Sequence, residues 1–339
     1  MTVLVTELLP FSESSAKKAA EIMAAGGVVG IPTETVYGLA ADARNESAVH
    51  SIFEAKGRPQ DNPLIVHISA IDQLAPLVRE IPELALRIAE KFWPGPLTMI
   101  FPKSDLIPSA TSGGLDTVAV RMPRSPAARA IIDACGFPLA APSANLSGSP
   151  SPTTAQHVMN DMKGRIPLII DGGECQCGVE STVLCFPAAD RVRILRPGGV
   201  TAEMLSELCA VDIDPAVTSE PQKGAKVMSP GMKYKHYSPK ADVFIINAHG
   251  KDFADWCIAN AKGKTLALSA DEHEHGMFCC FGKNVDEQAH RLFALLREAD
   301  EEGAQTVYVE MPSKDGIGLA VYNRLLRAAA FRIIEPDEK

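Results

Sequence analysis

The sequence predicts an α/β protein of two unequal domains, and three observations carry that reading. Over residues 1–210, short apolar strands and amphipathic helices are mixed without strict alternation, which fits a mixed sheet with flanking helices. Over residues 241–339, strand and helix alternate regularly, which fits a smaller, Rossmann-like parallel βαβ domain. Between them, residues 211–240 carry six prolines and glycines and little period of either kind, so they read as a long linker. A length of 339 residues suits two domains, and 46% apolar with 22% charged residues excludes disorder over most of the chain.

The elements follow in order. Residues 15–26 have the spacing of an amphipathic helix stopped by Gly26-Gly27, and 28–32 (VVGIP) read as a buried strand entering the polar loop Thr33 to Gly38. Helical spacing over 46–56 ends at Gly57-Arg58-Pro59. Strands are expected at 64–68, 97–101 and 117–122, with helices near 70–78, 83–92 and 125–135. Residues 137–145 form a short strand running into a polar loop, and Thr153-x-x-Gln156 has the pattern of a capping box opening a helix to about 163. Strands at 168–173, 181–186 and 192–198 and a helix at 201–209 complete the first domain. In the second, strands at 242–247, 264–269 and 306–310 alternate with helices at 251–261, 285–302 and 317–330. No GxGxxG follows its first strand, so nothing there marks a dinucleotide site.

Composition excludes several function classes. A net charge of −9 disfavours a protein that coats nucleic acid, because counterion release needs a stripe of lysine and arginine. No uninterrupted apolar stretch approaches a membrane span, and MTVLVTELLPFSES lacks a basic region followed by an apolar core, so a cytoplasmic location is expected. The eight cysteines have no repeated spacing and suit a reducing compartment; Cys175-Gln-Cys177 and Cys279-Cys280 are not expected to bind metal. His273-Glu-His275 reads as an exposed loop.

Residues able to carry chemistry gather in the turns of the first domain, where open α/β sheets usually bind ligands. They are Thr33, Thr35 and Tyr37, Lys56 and Arg58, Asn62 to His67, Thr117 to Arg124, and Ser143 with Asn145; Ser181, Thr182 and Arg196 join them. Lysine and arginine neutralise phosphate charge, and small hydroxyls and amides donate to phosphate oxygens. Lys56 and Arg58 also sit at a helix C-terminus, where the dipole alone favours cations. Arg121 ends the apolar strand TVAVR, where burial without an anion would be costly, so it is the expected binder of a substrate carboxylate. There is no GxxxxGK[ST] and no GxSxG, which excludes a P-loop NTPase and an α/β-hydrolase nucleophile. In the linker, 223–240 hold five lysines and no acid, which reads either as a solvated tether or as a strap over a polyanion.

Taken together, PTETVYGLAADA, KGRP with NPL and VH, WPGPLT, TVAVRMP, APSANLSG, STV and RPG, in that order, resemble the YrdC-like family of threonylcarbamoyl-AMP synthases. The likeness covers about residues 10–205, and SPGMKYKHYSP with the extra α/β domain looks like the long, two-domain form. The resemblance implies a YrdC-like mixed twisted sheet and a reaction: L-threonine, bicarbonate (or CO₂) and ATP give threonylcarbamoyl-AMP and pyrophosphate. It further implies Mg²⁺ with the ATP, no protein-held metal, and a separate tRNA threonylcarbamoyl transferase complex that consumes the product. Stable nucleic-acid binding and membrane association are not implied. Carried onto this chain, the catalytic motifs fall on Lys56, Arg58, Ser143 and Asn145. ATP contacts fall on Arg58, Asn62, Thr117, Ser143, Ser151 and Arg196, with Tyr234, His236 and Tyr237 of the linker able to close over the nucleotide. Threonine contacts fall on Thr35, His67, Arg121, the backbone at Ala141, and Ser181.

Two other readings compete. An RNA-binding module could use the same basic cleft, but the net charge of −9 and the lack of interleaved aromatic residues weigh against it. A carbamoyl-phosphate-handling maturation factor would need zinc-finger CxxC repeats, which are absent.

Overall fold

The computed structural model describes residues 4–60, 62–220 and 237–336. In chain order the first part comprises β1 (Glu7–Pro10), α1 (Glu13–Ala24), β2 (Val29–Ile31), β3 (Gly38–Asp42), α2 (Glu46–Lys56), β4 (Ile65–His67), α3 (Glu83–Phe92), β5 (Leu97–Pro102), α4 (Ser109–Ser112) and β6 (Thr117–Arg121). It continues with α5 (Pro126–Cys135), β7 (Leu139–Ala140), α6 (Ala155–Met162), β8 (Leu168–Asp171), β9 (Thr182–Ala188), β10 (Arg191–Arg196), α7 (Ala202–Ser206) and β11 (Ala210–Ile213). The second part holds β12 (Asp242–Ile246), α8 (Gly250–Asn260), β13 (Thr265–Ser269), β14 (Phe278–Cys280), α9 (Val285–Glu301), β15 (Thr306–Glu310), α10 (Gly318–Ala328) and β16 (Ile333–Ile334).

Two sheets result. The first is mixed, in the order β1-β8-β2-β3-β7-β4-β6-β5-β9-β10-β11. The second is parallel throughout, in the order β14-β13-β15-β12-β16. Against one face of the first sheet, α1 and α5 bury Met23, Ile131 and Ile132 with Ile31 and Ile170. Against the other, α2, α3 and α6 bury Ile52, Phe53, Ile88 and Val158 with Leu39 and Phe101. In the second part, α9 and α10 bury Leu292, Leu296, Leu325 and Leu326 over Val243 and Val309. That apolar cluster also takes in Val36 and Val179 from the first part, so the core runs across the boundary between the sheets.

Local chemistry explains the clearest element. Asn45 caps α2 by accepting from the Ala48 N–H at 3.2 Å, and Gly57 closes it with φ of 61°, a left-handed turn that suits glycine. The next residues are thereby turned back toward the sheet.

Some expectations shift. Residues 70–78 form two 3₁₀ turns, Ile71–Gln73 and Ala75–Leu77, because Pro76 removes a donor that a helix would need. The cap of α6 is Thr154, whose side chain accepts from the His157 N–H at 3.2 Å, one residue beyond the expected Thr153. The start of the expected linker, 211–217, is built into the first sheet through β11 and a 3₁₀ turn, Pro215–Val217. Tyr234 and His236 lie outside the described residues. No helix among the described residues is long and apolar enough to cross a membrane.

Candidate active site

Strands β4 and β6, adjacent in the interior of the first sheet, run parallel with His67 beside Arg121, and both therefore deliver these side chains at the same carboxyl-terminal end. That end, with loops at 33–38, 141–148 and 180–181, lines a cleft. Lining it are Thr35, Lys56, Arg58, His67, Arg121, Ala141, Ser143, Asn145, Ser181, Arg196 and Tyr237, all singled out by the sequence. Ser151 is buried just behind, while Asn62 and Thr117 fall outside the lining. The parallel register, with Ile65 beside Ala119, places Thr117 at the opposite end of β6 from Arg121, near residues 62 and 63.

At one end of the cleft stands Arg121, only 4% exposed. Its Nε donates to the Gly95 carbonyl at 3.2 Å, one Nη to Thr35 Oγ1 at 2.8 Å, and the other Nη to Glu34 Oε1 at 2.6 Å. The expectation that Arg121 awaits an anion thus needs amending, because Glu34 already supplies one. Burial pushes the Glu34 carboxyl up most strongly, but the Arg121 guanidinium and the backbone N–H bonds from Arg124 and Glu34 itself together hold the group below the usual carboxylate range. A guanidinium has five N–H groups, so these three bonds leave one on each terminal nitrogen for a ligand.

His67 is buried beside it, with Nδ1 3.1 Å from the Ile65 carbonyl. A carbonyl only accepts, so Nδ1 carries the proton and Nε2 is an acceptor. Burial, then the neighbouring Arg121, pushes His67 down to about 3, so the ring is neutral at ordinary pH. The Ala141 N–H is already given to the Ile65 carbonyl at 3.0 Å, which leaves its carbonyl as what it can offer. Ser181 Oγ lies 2.8 Å from Thr98 Oγ1 and accepts from Arg196 Nη2 at 3.2 Å, while Arg196 Nε donates to the Ser181 carbonyl at 3.1 Å.

At the other end, the loop 143–151 is organised by Lys56. Its Nζ donates to the Ser143 carbonyl, the Asn145 carbonyl at 2.7 Å and Asn145 Oδ1 at 3.3 Å, which uses all three of its N–H groups. Ser143 Oγ donates to Asn145 Oδ1 at 2.5 Å. Burial, followed by the charge of Arg58, holds the Lys56 ammonium well below the usual lysine range. Lys56 in this geometry shapes the loop rather than reaching across the cleft. Ser151 Oγ donates to Glu180 Oε1, and Arg324 Nε of α10 donates to Glu180 Oε2 at 2.7 Å. Tyr237 is buried with φ of 64°, its ring 5.3 Å from Phe293 and 5.7 Å from the Arg324 guanidinium. Asn62 is 2% exposed, and neither of its side-chain polar atoms has a partner among the described residues. A buried amide of that kind is costly until something bonds it.

Sequence reasoning missed Glu34, Glu180 and Arg324. A signal existed for the first two: each is a lone acid in an otherwise uncharged stretch, PTETVYG and GVESTV, where burial demands a cation. None existed for Arg324, whose partner is 144 positions away. Among the described residues no group of three or more His, Cys, Asp or Glu could hold a metal ion.

Comparison with known proteins adds the lineage. The Sua5_yciO_yrdC family model, described as telomere recombination, matches residues 21–198, and the model described as threonylcarbamoyl-AMP synthase, C-terminal domain, matches 200–330. A threonylcarbamoyl-AMP synthase of Pyrococcus abyssi is 44% identical over 99% of this chain and 100% of its own. One of Bacillus subtilis is 42% identical over 97% of each. The crystal structure of P. abyssi Sua5 complexed with L-threonine superposes with a TM-score of 0.90 at 42% identity, over 99% of this chain and 100% of that one. The chain belongs to the threonylcarbamoyl-AMP synthase family, in its two-domain form.

Proposed function

We propose that this protein joins L-threonine, bicarbonate (or CO₂) and ATP into threonylcarbamoyl-AMP, releasing pyrophosphate as a nucleotidyltransferase. One observation supports this above the others. The cleft has a carboxylate-binding end, where Arg121 keeps two N–H groups for a ligand beside a neutral His67, and a phosphate-binding end of hydroxyls and amides on a loop fixed by Lys56.

The steps follow from those groups. Arg121 takes the threonine carboxylate, while His67 Nε2 and the Ala141 carbonyl accept from its amine or hydroxyl. The neutral amine adds to CO₂, which bicarbonate gives by losing hydroxide as water, and releases one proton to solvent to give a carbamate. A carbamate oxygen then attacks the α-phosphorus of ATP, and the bond to pyrophosphate breaks. No protein nucleophile is needed; orientation of the two reactants supplies on the order of 7–11 kcal/mol. Arg58, Arg196, Ser143 and Ser151 hold the nucleotide at the cleft, and Asn62 and Thr117, beyond its lining at the far end of β6, meet the part that extends past it, where the orphaned amide of Asn62 gains a partner. Arginine beside the phosphates stabilises the charge that develops on pyrophosphate.

Among the described residues, the acids at the cleft, Glu34 and Glu180, are each paired with an arginine. Mg²⁺ enters on the triphosphate, as part of the substrate. Residues 1–217, with β11 and its 3₁₀ turn included, act as the catalytic domain, the remainder of 211–240 as a lid over the cleft, and 241–339 as a second domain; Tyr237, lining the cleft, supports the lid assignment. Carbamoyl-adenylates hydrolyse readily, so exclusion of water has an evident use. The product feeds the N6-threonylcarbamoyl modification of adenosine in tRNA, by a separate transferase in the cytoplasm.

The test is pyrophosphate release from ATP with and without L-threonine and bicarbonate. Release that needs both, with a threonine-containing adenylate as product, is expected. Release without threonine, or none, contradicts the reading and makes RNA binding the next assay.

A further inference from the structure

The second domain is joined to the catalytic cleft by more than a chain connection. Its residues, with Ser238 just ahead of it in the chain, meet the back of the loop 143–151 at three places. Arg297 of α9, 8% exposed, donates to both carboxylate oxygens of Asp161 at 3.1 and 2.8 Å and to the Pro150 carbonyl at 2.6 Å. Asp161 in turn accepts from the Leu146 N–H at 3.1 Å. The Ser238 N–H donates to the Gly148 carbonyl at 2.9 Å. Arg324 of α10, fully buried, holds Glu180, and Glu180 holds Ser151.

The loop is therefore gripped from both sides. Lys56 fixes Ser143 and Asn145 from within the catalytic domain. Arg297 and Arg324 fix positions 146, 150 and 151 from the second, and Ser238, at the end of the 211–240 segment, holds position 148. The contact is also close-packed. A Cβ on Gly178, whose φ is +73°, would lie 2.4 Å from Ala289 and His290 backbone atoms of α9, so only glycine fits there. Val36 and Val179 sink into the second domain's core. Two buried arginines with bidentate or doubled partners are costly to desolvate and are retained where geometry matters more than net stability.

We propose that the second domain is the rear wall of the nucleotide site, and that Arg297 and Arg324 are positioning residues which set loop 143–151 for ATP. This rests on the synthase reading above. At the threonine end the side chains of Arg121, Glu34, Thr35 and His67 take their hydrogen bonds from within residues 33–125, and the second domain touches that end through the packing of Val36.

The experiment uses the full chain and compares wild type with Arg297→Gln and with Asp161→Asn, which breaks the same pair from the other side. ATP and L-threonine affinities are titrated separately, KM for each is measured, and thermal unfolding is followed in parallel. The expected result is an ATP affinity and KM changed about tenfold in both variants, with threonine affinity within twofold of wild type and Arg297→Lys recovering part of the loss. ATP affinity within twofold of wild type in the soluble variants overturns the proposal. So does equal loss of ATP and threonine binding, which a merely loosened fold would give. If Arg297→Gln fails to fold, Asp161→Asn alone decides on the same two criteria. A wild-type chain that binds neither substrate condemns the synthase reading instead.

Discussion

The two ends of the cleft are built by different means. The end we assign to threonine is a buried ion pair, Arg121 at the end of β6 with Glu34 of the 33–38 loop, braced by Thr35 and the Gly95 carbonyl. The end we assign to the nucleotide is a loop with little regular structure, held by Lys56 on one side and by arginines of another domain on the other. A small, rigid substrate with one carboxylate can be met by groups on strand ends. A long, flexible triphosphate needs a loop whose backbone follows it, and such a loop must be stiffened from outside.

Breaking the first end should have the largest effect. Arg121→Ala leaves Glu34 buried and unpaired, which costs about 3–5 kcal/mol of folding stability and abolishes threonine binding while ATP binding persists. Denaturant unfolding and separate ligand titrations check both parts. Equal loss of the two ligands would contradict the division of the cleft.

Acidification sharpens the same comparison. His67 is held to about 3 in the folded protein, below its ordinary value near 6.5. Between those values the unfolded chain binds a proton that the folded one does not, so stability falls as pH drops below about 6.5. His67→Gln should therefore lose about 2 kcal/mol less than wild type between pH 7 and pH 5. Identical pH profiles of unfolding would remove the neutral, buried histidine from the picture. Above pH 6.5 the ring does not titrate and threonine affinity should show no histidine step.

The smallest effect is expected inside the loop. Ser143→Ala removes one hydrogen bond to Asn145 but leaves all three Lys56 bonds, worth about 1 kcal/mol, or roughly fivefold in ATP affinity. A hundredfold loss would mean that the contact of Ser143 with the nucleotide carries far more than the bond that orders the loop.

Much of this was legible in the sequence, and the exceptions have physical reasons. Helix α2 is readable because Asn45 and Gly57 mark both ends. Strand β3, GLAAD, has no β-branched or aromatic residue and gives no strand signal. The short edge strands β1, β14 and β16 have only two to four residues each, too few to show a period. In the site, the cleft-lining cations and hydroxyls were legible because they stand in ordered motifs. The pairing of Arg121 with Glu34 was not, because the partners are 87 positions apart. Arg324 was the least visible, since α10 is buried on every side and its arginine looks like any other helical cation.

The most direct test of this division is a pair of titrations on two variants that keep their charge. Arg121→Lys retains a partner for Glu34 but loses the planar fork, and Arg297→Lys does the same for Asp161. The expected result is a crossed one: the first variant loses threonine affinity and keeps ATP affinity, the second loses ATP affinity and keeps threonine affinity. Parallel losses in both variants would contradict it, and would mean that the cleft is held as a single unit.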